Sequence, residues 1–190
     1  MQSIKPVILR KLKLEELNRI SVADFKESEK NPVVVVLDNI RSMNNIGSVF
    51  RTSDAFRIEK IYLCGITAVP PHREIHRTAL GSEDSVSWHY FEHTTDAIQY
   101  LQTDNYEILA VEQTEGSTML QEYFPEKNKR YAFVFGNEVD GVDEKVLNLV
   151  HKCLEIPQFG SKHSLNISVS VGILLWDYVQ KTHYPASRLS

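Results

Sequence analysis

The chain has 190 residues, 42% of them hydrophobic, with 21 Lys and Arg against 25 Asp and Glu for a formal charge of −4. That length supports one well-buried domain and is short for two, and its 8 Gly and 7 Pro fall below the roughly 12% usual in proteins, which excludes collagen-like, low-complexity and disordered readings. The acidic total argues against a charge-driven coat for nucleic acid while leaving room for a local basic face, and Cys64 and Cys153 are too few and too far apart for a disulfide scaffold or a Cys-based zinc site, which points to the cytoplasm.

The opening MQSIKPVILRKLKLEEL returns to charge too soon for a signal-peptide core. Residues 6–30 read as an amphipathic helical arm, with Leu14, Leu17, Ile20 and Val22 near helical spacing. Asn31-Pro32 ends it, because the residue before proline is driven out of the helical region. Residues 1–32 are thus expected as an arm and 33–190 as one domain. The run VVVVL at 33–37 has the pattern of a strand buried on both faces of a parallel sheet. A helix follows over 45–56, with Ile46, Val49 and Phe50 on one side. Short strands are expected at 61–64, 86–91, 106–111, 131–135 and 153–156, and helical stretches near 72–80, 94–101 and 143–150. This alternation implies an α/β sandwich on a mostly parallel sheet. The most apolar stretch, 167–179, is broken by Ser168, Ser170, Gly172 and Asp177, short of the ~18 clean apolar residues that a membrane span needs.

Ligands in open α/β sheets bind outside the carboxyl ends of the strands, so the loops that follow strands carry the functional reading. In the first, DNIRSMNNIGSVFRT at 38–52, Asn44 or Asn45 can cap the helix, and Arg51 lies between one and two turns beyond Asn45. Taken alone, that arginine either serves a site or snorkels to solvent. The second, FGNEVDGV at 135–142, has glycines five apart as in a phosphate-binding P-loop. Val142 and Asp143 stand where Lys and Ser or Thr belong, however, and Glu138 and Asp140 repel phosphate. A plain turn, with Gly supplying positive φ and Asn and Asp local hydrogen bonds, accounts for it equally well. The dinucleotide pattern GxGxxG is absent. In the third, IPQFGSKHSLN at 156–166, Ser164 is a candidate N-cap and Asn166 needs hydrogen-bond partners. NISVSVG alternates as a strand does, whereas the stretch to Tyr178 has helical length, and Ser168, Ser170 and Gly172 leave room for another backbone. No GxSxG elbow accompanies GSKHS, which argues against hydrolysis.

Taken in order, the three loops resemble the three motifs of the SPOUT superfamily, specifically the SpoU/TrmH-type RNA 2′-O-ribose methyltransferases. NNIGSVFRT resembles the first motif, FGNEVDGV the second and IPQFGSKHSLNISVSVG the third, over roughly residues 33–180. The resemblance implies a Rossmann-like α/β sandwich whose C-terminal chain threads a loop to form a deep trefoil knot, which no composition or periodicity foretells. It implies S-adenosylmethionine as cofactor, with S-adenosylhomocysteine as product, held by Gly136, Asn137, Gly141, Ile156, Pro157 and Leu165, and no metal. A homodimer with the site beside the subunit interface is implied as well. Residue by residue, it implies Arg51 as the catalytic arginine, Asn45 as its supporting asparagine, and Glu138, Ser164 and Asn166 as further polar active-site positions. No ribosomal-protein-like RNA-binding domain is recognisable upstream, so substrate recognition falls to the core, the arm or a partner.

Methyl transfer from a sulfonium to a ribose hydroxyl is an in-line displacement that positioning accelerates. Arginine stays charged throughout the physiological range, so Arg51 reads better as a clamp on phosphate and developing negative charge than as a general base. Candidate RNA contacts are Arg10, Lys11 and Lys13, Arg41, Arg73 with His76 and Arg77, Lys127 with Lys129 and Arg130, and Lys162 with His163, each also readable as a solvated charged face. The expected function is methylation of a ribose 2′-hydroxyl of tRNA or rRNA. A base-methylating enzyme of the same superfamily is one alternative, against which NNIGSVFRT with its Arg51 favours ribose. A catalytically idle knotted RNA-binding protein is the other, against which Arg51, Asn45, Ser164 and Asn166 together weigh.

Overall fold

A computed structural model describes residues 9–17, 19–161 and 164–184. A capping box opens the first helix. The Ser21 hydroxyl accepts from Asp24 N–H while the Asp24 carboxylate accepts from Ser21 N–H, which starts α1 at Val22–Glu27. There follow β1 (Asn31–Asp38), α2 (Met43–Ala55), β2 (Ile58–Cys64), α3 (Arg73–Ala79), α4 (Ser82–Ser85), β3 (Ser87–Phe91), α5 (Thr94–Thr103) and β4 (Tyr106–Val111). The chain continues through β5 (Thr118–Met119), β6 (Arg130–Phe135), α6 (Glu144–Leu147), β7 (Lys152–Glu155) and α7 (Ile167–His183). The strands form one seven-stranded sheet in the order β3-β2-β1-β6-β4-β7-β5. Every pairing in it among the described residues is parallel.

Successive residues of β1 serve opposite faces of the sheet. Val33, Val35 and Leu37 pack with Ile46, Val49 and Phe50 of α2 and Val171, Leu174 and Leu175 of α7, whereas Val34 and Val36 pack with Ala97, Ile98 and Leu101 of α5. Both faces are covered, so neither tolerates a polar residue, and burial of each such side chain contributes roughly 1.5–3 kcal/mol.

The boundaries differ from expectation where packing overrides local pattern. Within 6–30, the described residues hold only a 3₁₀ turn at Leu14–Leu17 and α1. Leu12, Leu17, Ile20 and Val22 are exposed, and an amphipathic helix without a partner for its apolar face is marginal in water. Pro32 sits at the start of β1 rather than before it, a position where a missing N–H is tolerated. Among the described residues no helix is long and apolar enough to cross a membrane.

Cys64 is fully buried at the end of β2. Burial foremost, and then the neighbouring Asp38, pushes its thiol up to about 12. Between about pH 9 and pH 12 the unfolded chain therefore loses this proton while the native chain keeps it, so stability declines as pH rises through that window. Iodoacetamide at pH 8 is expected to modify Cys64 only after unfolding. Mass spectrometry showing a modified Cys64 in the native protein would contradict this placement.

Candidate active site

The site lies at the carboxyl ends of three neighbouring strands, β6, β4 and β7. The loop after β6 closes on itself, Asn137 N–H donating to Gly141 O at 3.1 Å and Gly141 N–H to Asn137 O at 3.0 Å. Asn137 Oδ1 also accepts from the N–H groups of Val139 and Asp140, at 3.0 and 2.9 Å. FGNEVDGV is thus a turn, but its positive φ falls on Gly141 (70°) and not on Gly136. Gly136 is needed for close approach, since a Cβ there would land on the backbone of Gly141 and Val142.

Two acids brace this turn. Glu112, just past β4, accepts from Val142 N–H (3.0 Å) and Gln113 N–H (2.9 Å). Asp38, at the end of β1, is buried and accepts from Asp143 N–H (3.0 Å), Asn39 Nδ2 (2.8 Å) and the Thr94 hydroxyl (2.5 Å). Three donors offset the cost of burying its carboxylate. Neither Asp38 nor Glu112 is among the site residues expected from sequence. The available signal is that each acid closes an apolar strand run, at the end of a parallel strand where ligands gather.

The three loops meet through one chain of hydrogen bonds. The Ser42 hydroxyl accepts from Asn45 N–H at 3.3 Å, so Ser42 caps α2 rather than Asn44 or Asn45. The Asn45 side chain is left free to donate to Glu138 Oε1 at 2.6 Å and to accept from Asn166 Nδ2 at 3.2 Å. Asn166, not Ser164, caps α7, its Oδ1 accepting from Ser168 N–H (2.9 Å) and the Ser168 hydroxyl (2.7 Å). Each loop contributes one residue, across 93 and 121 positions of sequence.

Glu138 also lines a cavity of about 420 Å³, within the roughly 300–1,000 Å³ of small-molecule sites. Val111, Phe135, Leu154, Ile156 and Leu165 give it apolar walls, and Gly136, Asn137, Gly141 and Ser164 border it. Glu112, Asp140 and Glu155 join Glu138 at its edges, and among the described residues no lysine or arginine lines it. That charge distribution suits a cationic ligand and disfavours a phosphate. Pro157 does not line the cavity, although Ile156 and Gln158 do, as alternation along an extended segment requires. Among the described residues no group of three or more His, Cys, Asp and Glu is placed to hold a metal ion.

Arg51 is not part of this cluster. It lies about 9 Å along α2 from Asn45 and two-thirds of a turn around it, exposed, in a separate hollow with Arg19, Phe25, Asp54 and Arg57. Of the candidate RNA contacts, Arg10 is held by both oxygens of Glu16 at 2.8 and 2.9 Å. Lys11, Lys13, Arg41 and Arg73 are exposed. Arg77 pairs with Glu74 at 3.0 Å and donates to Asn44 Oδ1 at 3.0 Å, beside the start of α2. Lys129 and Arg130 are engaged by Glu107 and Asp104. Lys162 and His163 lie outside the described residues.

Residues 32–176 match the SpoU rRNA Methylase family. The chain belongs to this family. Among SpoU relatives it is 29% identical over 153 residues to the tRNA (guanosine(18)-2′-O)-methyltransferase of Mus musculus, covering 78% of this chain and 9% of that protein. It is 25% identical over 175 residues to the 23S rRNA (guanosine-2′-O-)-methyltransferase of Haemophilus ducreyi, covering 92% of this chain and 70% of that one. The crystal structure of an AdoMet-bound rRNA methyltransferase from Sinorhizobium meliloti matches with a TM-score of 0.74 and 26% identity, over 82% of this chain and 59% of that one. The chain therefore spans about a tenth of the mouse relative and under two thirds of the Sinorhizobium one. Its parallel seven-stranded sheet flanked by helices is the SPOUT methyltransferase fold.

Proposed function

We propose that this protein transfers a methyl group from S-adenosylmethionine to a ribose 2′-hydroxyl of tRNA or rRNA. The observation that carries this reading is the convergence of Asn45, Glu138 and Asn166 beside an acid-edged cavity at the strand ends. The family match and the relatives, which act on tRNA and rRNA riboses, support it. The cavity fits the cofactor: its apolar walls suit an adenine, and its four carboxylates suit a sulfonium cation. When bound, the cofactor supplies an electrophilic methyl group.

The chain's own residues supply position and charge. Gly136 lets the turn close against the cavity, and Glu112 holds that turn by accepting from Val142 N–H. Glu138 fixes the Asn45 amide, and Asn45 fixes Asn166, so the polar edge that faces the ribose is set before substrate arrives. Arg51 carries a permanent charge, and its role is to clamp a substrate phosphate and stabilise the oxygen that loses its proton, with the phosphate relaying that proton.

Because Arg51 stands apart from the cavity within one copy, the same proposal takes the active form to be a homodimer in which Arg51 of the partner subunit completes the site. An exposed apolar stripe on α7 suits such an interface: Val169, Ile173 and Trp176, with open space around Gly172. Trp176→Glu is expected to give monomers in sedimentation and to lower methyl transfer at least about tenfold; an active monomer would exclude the shared site. Residues 33–190 as one knotted domain, residues 1–32 as its arm and residence in the cytoplasm belong to the same proposal.

The test is incubation with labelled S-adenosylmethionine and separate tRNA and rRNA fractions. Cofactor-dependent label in one of them supports the proposal, and label in neither overturns it.

A further inference from the structure

A second hollow, of about 510 Å³, lies between the loop before α3, α3 itself, α4 and β3. Its walls are Pro70, Pro71 and the half-buried Trp88 ring, and the exposed His72, Arg73, His76 and Asp84 also line it. Glu83 also lines it, with a side chain only 8% exposed. One of its carboxylate oxygens lies 2.5 Å from His76 Nδ1; the other, Oε2, is buried and has no hydrogen-bond partner among the described residues. An unpaired buried carboxylate oxygen is costly, and such an atom in a natural fold calls for a donor. Nothing in the proposed methyl transfer uses it.

We infer that this hollow receives a base of the substrate RNA away from the reacting ribose, and that Glu83 selects bases carrying an exocyclic amino group. The inference rests on the RNA reading above. Trp88 and the prolines offer flat apolar surfaces of the kind on which bases stack. The free oxygen of Glu83 accepts a donor, which adenine, cytosine and guanine supply through an exocyclic amino group, whereas uracil offers only its ring N3–H, flanked by two carbonyl oxygens that a carboxylate repels. Arg73, which lines the hollow, and Arg77, one turn along α3, are the cations nearest in sequence that could meet the backbone phosphates of such a nucleotide. Arg77 also bonds Asn44, next to Asn45, so the hollow and the candidate active site are joined through α3 and α2.

The test follows the side-chain N–H resonance of Trp88, assigned by its loss in Trp88→Phe, as AMP, CMP, GMP and UMP are added without cofactor or RNA. Dose-dependent shifts with the first three are expected, with UMP at least about tenfold weaker. Glu83→Leu, with its fold checked by thermal melting, is expected to bring all four to the UMP level. Trp88→Ala, followed on neighbouring backbone amides, is expected to weaken all four by about tenfold. No shift with any nucleotide, equal affinity for all four, or unchanged discrimination in Glu83→Leu would overturn the inference. A shift with arginine-containing peptides in place of nucleotides would overturn it too. Amino-selective shifts in a protein that transfers no methyl group would support the pocket while refuting the proposed reaction.

Discussion

Arg51→Ala is expected to lower methyl transfer by about 10²–10³-fold while leaving S-adenosylhomocysteine affinity within a few-fold. Loss of one preorganised charge contact to a developing anion costs a factor of that order, and the Arg51 side chain stands outside the cofactor cavity. Arg51→Lys restores charge but not the two-pronged geometry that grips a phosphate, so it should recover only part of the rate. Arg51 is exposed, so thermal stability should hardly change. Single-turnover rates and calorimetric titration read the two effects separately. A variant with near-full turnover would remove Arg51 from the mechanism, and one that had lost cofactor binding would place it in the cavity instead.

Gly136→Val is expected to weaken S-adenosylhomocysteine binding by at least about a hundredfold. The added carbons have nowhere to go except into the backbone of Gly141 and Val142, so the paired bonds between Asn137 and Gly141 must break and the cavity wall must move. Gly141→Ala tests the neighbouring constraint, because that residue holds a φ of 70° and its Cβ would press on the Glu112 carboxylate. A milder loss is expected there, since the end of a side chain yields more easily than backbone. Calorimetry on each variant, with circular dichroism as the folding control, checks the order. Unchanged affinity in a folded Gly136→Val protein would move the cofactor elsewhere.

The elements that were legible in the sequence are those whose local pattern and tertiary surroundings agree. VVVVL announces a strand covered on both sides because a two-sided environment removes every reason for a polar residue. The arm was less legible. Leu17, Ile20 and Val22 lie near helical spacing but stay exposed, and periodicity cannot say whether a partner surface exists. β5 has two residues and a single neighbour, β7, too short for any alternation to register.

The candidate site shows the same division. Loop order brought Asn45, Glu138 and Asn166 into view, and the structure joins them by hydrogen bonds that no spacing in the sequence encodes. Asp38 and Glu112 went unseen because their work is to accept backbone N–H groups far away along the chain. Arg51 was legible as a residue out of keeping with its helix, but its direction follows from the helical rise and turn between it and Asn45. That direction separates it from the cavity.

The most direct test of the account is where the transferred methyl group resides. A methyl on the ribose 2′-oxygen removes the nucleophile that alkali uses to cleave the adjoining phosphodiester, whereas a methyl on a base leaves that cleavage intact. RNA labelled by this protein from radioactive S-adenosylmethionine should therefore, after complete alkaline hydrolysis, carry its label in alkali-resistant dinucleotides. Label released entirely in mononucleotides would contradict the account and assign the methyl to a base.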